Sequence, residues 1–214
     1  MKEKWNRWLP LIFVALFAIS RIPGLWPVNF SAAYAFAFCA GVFFPKRQAW
    51  YLPLAIILIT DIGLNFYYQW KGYTVWDGPD LANLVFNYVA YAALIFLGRR
   101  FKPQSSFLVL LGGGLLGAIL FYLITNTASW FFNPFHNAEY TKTFSGWLLA
   151  LTKGINGWPT TLEFFRNTLL SSGLFTALFA GAAKCGVSES PAEKNAGARE
   201  PEGEMEEKPE EASA

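Results

Sequence analysis

The sequence predicts an all-α, polytopic membrane protein with six transmembrane helices, both termini in the cytoplasm, and a disordered acidic C-terminal tail. Three observations carry that fold class. The first is composition: of 214 residues, 54% are apolar and 15% charged, against roughly 45–50% and about 25% in an average globular chain. The second is a set of six long apolar runs. The third is the placement of Lys and Arg, which cluster at every second connection.

The runs cover residues 8–22, 30–44, 50–68, 80–97, 106–132 and 159–183. A spanning helix needs about 17–25 residues, so the first two, at 15 each, must be extended by their flanks or sit in a thinned region. The fifth, at 27, must tilt or project. The runs are continuous rather than alternating, which argues against barrel strands of about 10 residues with period two. Lys2, Lys4 and Arg7 precede the first run, and Lys46 and Arg47 follow the second. Arg99, Arg100 and Lys102 follow the fourth, and Lys184 follows the sixth. The intervening connections hold Lys71, or Lys142 and Lys153 across a long loop. The positive-inside rule then puts both termini in the cytoplasm. An N-terminal signal peptide is the rival reading of residues 1–20, but Ala18-Ile19-Ser20 is a weak cleavage site and its removal would break the alternation.

Charge divides the chain into two parts. Residues 1–184 carry a net +8 and form the transmembrane domain, while residues 185–214 carry a net −6. That tail is rich in Glu, Pro, Ala and Gly and cannot bury enough surface to offset its ordering entropy, so it is expected to be a disordered cytoplasmic segment. Basic residues lie between apolar runs rather than along one face, which excludes a nucleic-acid partner. Cys39 and Cys185 form neither a disulfide framework nor a metal motif. In the loop 133–158, Phe144, Trp147, Leu148 and Leu151 recur at helical spacing and predict a short helix on the outer surface or over a cavity.

Depth locates the candidate site. Asp61 lies 11 residues into the third run, roughly 16 Å along its axis at about 1.5 Å per residue and just past the midplane towards the outside. A charge there costs ~2.5–3.5 kcal/mol on insertion scales, so its default reading is functional. Asn65 is one turn further on the same face. Asn83 and Asn87 lie in the outer half of the fourth run, and Asn126, Thr127, Ser129 and Trp130 near the outer end of the fifth. Glu163, Arg166 and Asn167 open the sixth, and Arg21 and Asn29 flank the turn 23–27. The inner halves are apolar or small. Two readings remain open: an outward-facing polar cavity, or hydrogen bonds that brace helices at ~0.6 kcal/mol each. Arg166 is read either as the partner of Glu163 on one helical face or, with Arg21, as a clamp on an anionic group. Trp26, Trp70, Trp76, Trp130, Trp147 and Trp158 fall on the outer side, as an interfacial belt or as a roof.

Small residues recur every four positions at Ala33, Ala37 and Gly41 and at Gly113 and Gly117, a pattern that permits close helix approach within the fold or to a partner membrane protein. His136 stands alone in a loop, and Gly112-Gly113-Gly114 lies inside an apolar run rather than a phosphate loop. No cofactor, metal site or enzymatic activity is expected.

The stretch Ser20-Arg21 and Pro27-Val28-Asn29-Phe30-Ser31, leading into an Ala/Phe-rich helix, resembles the opening of a bacterial six-helix membrane family described as transport proteins. Thr60-Asp61-Ile62-Gly63-Leu64, Thr125-Asn126 and Phe164-Phe165-Arg166-Asn167-Thr168-Leu169-Leu170 resemble its later motifs. The resemblance covers residues 8–183. Where that family leads one to expect Gly-Asp, this chain has Ser171-Ser172, so a role for that carboxylate does not carry over. In size and helix count the chain is also similar to the substrate-binding S components of energy-coupling factor transporters.

That likeness implies a small-molecule, micronutrient-type binding subunit in the bacterial inner membrane, energised by a separate membrane module. The expected lining is Arg21, Asn29, Asp61, Asn65, Asn87, Asn126, Trp130, Glu163, Arg166 and Asn167. The rivals are a membrane-embedded enzyme acting on a lipid or cell-envelope precursor through Asp61 or Glu163, and an assembly protein without ligand.

Overall fold

The computed structural model describes residue 11 and residues 13–185, and its described residues are all helical or loop. The basic cluster 2–7 and the acidic tail lie outside them. Helices occupy all six predicted runs: α1 (13–20), α2 (Ala33–Phe43), α3 (Gln48–Trp70), α4 (Gly78–Gly98), α5 (Phe107–Phe132) and, after the short α6 (Phe144–Thr152), α7 (Thr161–Cys185). The helix at 144–152 stands where aromatic and Leu spacing predicted one.

Local signals set the ends. Asp77, Ser106 and Thr143 cap α4, α5 and α6 by accepting backbone N–H bonds from Asp80, Val109 and Gly146. Asn133, in the left-handed conformation, stops α5. The outcome at α2 departs from expectation, for it is shorter than the predicted run. The peptide N–H of Phe30 donates to the Pro27 carbonyl in a turn, and Asn29 sits at φ 61°, so a helix cannot form ahead of Ser31. Ser20 then joins the two short elements: its hydroxyl donates to the Phe17 carbonyl and accepts the Ala32 N–H.

At 11 residues α2 is about 16 Å long, roughly half the ~30 Å of a bilayer's hydrocarbon. Every residue from Ala33 to Val42 is buried. A helix apolar on all sides belongs inside a bundle, and α2 is accordingly surrounded by α3, α4, α5 and α7. Phe13 and Phe17 of α1 stack on Phe179 and Phe36, with ring centroids 4.3 and 5.1 Å apart, and close the remaining side.

Both small-residue stripes pack internally. A Cβ on Gly41 would lie 2.3 Å from the Ile95 carbonyl oxygen, and one on Gly98 would lie 2.1 Å from that of Phe38, so α2 and α4 cross backbone to backbone. Gly113 makes room for the Phe38 and Phe101 rings, and Gly114 for Thr176. Ser172, where the resembling family suggests a carboxylate, donates instead to the Gly114 carbonyl and ties α7 to α5.

The outer surface of the bundle is apolar. Leu81, Val85 and Val89 on α4 and Leu170, Leu174 and Leu178 on α7 form exposed stripes at four-residue spacing. Such stripes suit hydrocarbon rather than water. α3, α4 and α5 are each long and apolar enough to cross a membrane, which marks the chain as a membrane protein.

Candidate functional site

Because α2 starts only at Ala33, the longer helices continue past it with nothing between them. They enclose a cavity of about 470 Å³. Its floor is aromatic: Tyr34 at the start of α2 meets Phe121 at 4.7 Å between centroids, and Phe121 meets Tyr91 at 5.0 Å. The Tyr34 hydroxyl donates to the Asn29 carbonyl at 3.3 Å.

Helical periodicity builds the walls. On α3, Asp61, Asn65 and Tyr68 share one face; on α4, Asp80, Asn83, Leu84, Asn87 and Tyr91 do. α5 gives Tyr122, Thr125, Asn126 and Ser129, and α7 gives Phe164, Phe165 and Thr168. Arg21, at the end of α1, and Asn29 complete the lining. A smaller lobe of about 200 Å³ shares Asn83, Asn126, Ser129 and Phe164 with the cavity and runs under the 133–160 loop. That loop is tied down by α6, where Trp147 donates to the Thr127 hydroxyl at 3.0 Å and Tyr122 donates to the Leu151 carbonyl.

An ion pair organises the deep end. The Arg21 guanidinium bonds Asp61 Oδ1, and the Tyr88 hydroxyl donates to Asp61 Oδ2 at 3.1 Å. The two charged side chains are 16% and 15% exposed. Arg21 stands at the carbonyl end of α1, where the helix dipole favours a cation, and a carboxylate accepting both bonds has its charge answered at once. Other groups remain open to the cavity. The carboxamides of Asn65 and Asn87 line it and make no hydrogen bond with the described residues. Asn126 uses its N–H on the Tyr122 carbonyl at 2.8 Å, and Asn83 accepts from Ser129 at 3.4 Å.

Of the sequence-predicted residues, Arg21, Asn29, Asp61, Asn65, Asn87 and Asn126 come together in this lining, and Trp130, Glu163, Arg166 and Asn167 do not. The Trp130 N–H donates to the Thr141 carbonyl at 2.7 Å and holds the loop. Glu163 accepts from the Thr160 N–H at 2.7 Å while the Thr160 hydroxyl accepts the Glu163 N–H, a capping box that starts α7. Asn167 donates to the Val28 carbonyl at 3.0 Å and anchors the 21–30 loop. Arg166 is exposed on α7, so the structure joins Arg21 to Asp61 rather than to Arg166.

The expected lining leaves out Tyr34, Tyr91 and Tyr122, which stand within apolar runs, and Asn83. Asn83, Asn87 and Tyr91 recur at four-residue spacing, a signal that was present. Among the described residues no set of three or more His, Cys, Asp or Glu could hold a metal ion. Carboxamide, hydroxyl and phenol groups around one internally balanced ion pair suit hydrogen-bonded capture of a small molecule.

Residues 1–193 match a family of unknown function, DUF6580, and the chain belongs to that family. No curated protein and no solved structure matches it.

Proposed function

We propose that this protein is a multi-pass transport protein of the bacterial inner membrane that captures a small, micronutrient-type molecule from outside. In this reading six helices cross the bilayer with both termini cytoplasmic, and the cavity opens outward beneath α6 and its loop. A separate energising module drives release inward, as with the S components of energy-coupling factor transporters. One observation carries the reading: the polar groups gather at a single end of a bundle whose outer surface is apolar, around a cavity of ligand size. Pockets of ~300–1,000 Å³ are usual for small-molecule sites. The charge alternation described above supports the orientation, which makes the cavity face the exterior.

Two measurements test it. Native mass spectrometry of protein purified in mild detergent should find a bound small molecule that is lost from Asn87→Leu, a variant that replaces a hydrogen-bonding carboxamide of the lining with an apolar side chain. Impermeant thiol labelling of single cysteines introduced near 47 and 100 should fail from outside. Labelling there from outside, or an empty wild-type protein that no small molecule stabilises, would overturn the proposal.

A further inference from the structure

We infer that the cavity takes an uncharged ligand with amide-like edges, and that the Arg21–Asp61 pair is what excludes ions of either sign. This rests on the capture reading above and specifies its substrate class. A lone Arg21 in the lining would invite an anion, but Asp61 already answers its charge, with Tyr88 on the second carboxylate oxygen. Asp80 lines the wall from the first turn of α4, where the helix N-terminus answers its charge. An anionic ligand therefore gives up its hydration to face two carboxylates, and a cationic one to face a guanidinium whose counter-ion is engaged. Burying a charge without its own partner is strongly unfavourable.

The open groups have a different chemistry. The carboxamides of Asn65 and Asn87 face the cavity from α3 and α4, each with a donor and an acceptor side by side. That pattern is met by a ligand edge that alternates acceptor and donor in the same plane, as a carboxamide, lactam or ureide does. The floor of Tyr34, Tyr91 and Phe121 offers no further charge and suits the apolar body of such a molecule.

The experiment is a thermal-shift and titration screen of the purified full chain with matched sets of one ring skeleton each, carrying a carboxamide, a carboxylate or an aminomethyl group. Carboxamides should bind, with dependence on Asn87, at least about tenfold more tightly than their charged partners. Asp61→Asn leaves Arg21 unbalanced and should raise carboxylate affinity by about tenfold or more, since adjacent opposite charges in a partly dry site are worth that much. The double variant Arg21→Gln/Asp61→Asn removes both charges of the pair, returns the lining to its wild-type net charge and should return the preference to carboxamides, which covers the case of a poorly folded single variant. Charged members binding through the cavity as well as the carboxamides would overturn the ligand class and leave capture standing. No Asn87-dependent binding by any member would take down both.

Discussion

The two ends of the bundle are built on opposite terms. At one end α2 is wrapped by its neighbours, with glycine backbones of α2 and α4 in contact and buried phenylalanine rings packed around them. At the other end the same helices α3, α4, α5 and α7 continue without α2, and polar side chains look into space. The difference teaches that the site is made by a helix that stops. A short central element leaves the longer ones standing around a void, and in that void carboxamides cost little.

The contrast breaks most readily at the packed end. Gly98→Val should have the largest effect. A Cβ there meets the Phe38 carbonyl oxygen at 2.1 Å and the Gly41 Cα at 3.1 Å, and a backbone cannot rotate aside as a side chain does. We expect a loss of about 3 kcal/mol or more, read as a collapse of the unfolding midpoint in detergent. Phe179→Ala comes next. It removes a fully buried ring that stacks on Phe13. The void of roughly 80 Å³ it leaves, at ~24 cal/mol per Å³, adds about 2 kcal/mol to the lost contacts of the ring, for a total of about 3 kcal/mol in the same assay.

At the cavity end the same kind of change should do less to stability and more to binding. Arg21→Gln leaves Asp61 with the Tyr88 bond alone. Because the pair is largely buried but borders the cavity, the loss should be about 1–2 kcal/mol, and the Asp61→Asn background should cancel most of it in a double-mutant cycle. Asn87→Ala should be smallest of all, within ~0.5 kcal/mol of wild type in stability. Its mark is instead a ligand bound about 2- to 12-fold more weakly, the worth of one hydrogen bond. A Gly98→Val protein as stable as Asn87→Ala would erase the distinction between the ends.

Much of this contrast was legible in the sequence. The positions of the helices followed from apolar runs, and the depth of Asp61, Asn65, Asn87 and Asn126 was enough to collect them. What depth could not supply was the partner of each group. Glu163 and Arg166 share a helical face, yet Glu163 is spent on the Thr160 cap and Arg166 turns away from the cavity. Trp130 and Asn167 hold loops through backbone carbonyls, contacts that no periodicity predicts. Tyr34 and Tyr91 were hidden for the opposite reason, since an aromatic ring within an apolar run reads as packing until its neighbours are seen to end.

α3 is a beam with two unlike supports. Its buried residues, Ala49, Pro53 and Ile57, all lie in its first ten positions, so one end is clamped between α2 and α4. Pro53 sits in that clamp and leaves the Ala49 carbonyl without its usual amide partner, which makes the clamp a pivot rather than a weld. Beyond Ile57 the beam is pinned at Asp61, to Arg21 on one side and Tyr88 on the other. The open half of this 23-residue helix is therefore held to α1 and α4 by polar contacts rather than by buried side chains, so the position of the cavity wall along α3 depends on the Asp61 pair.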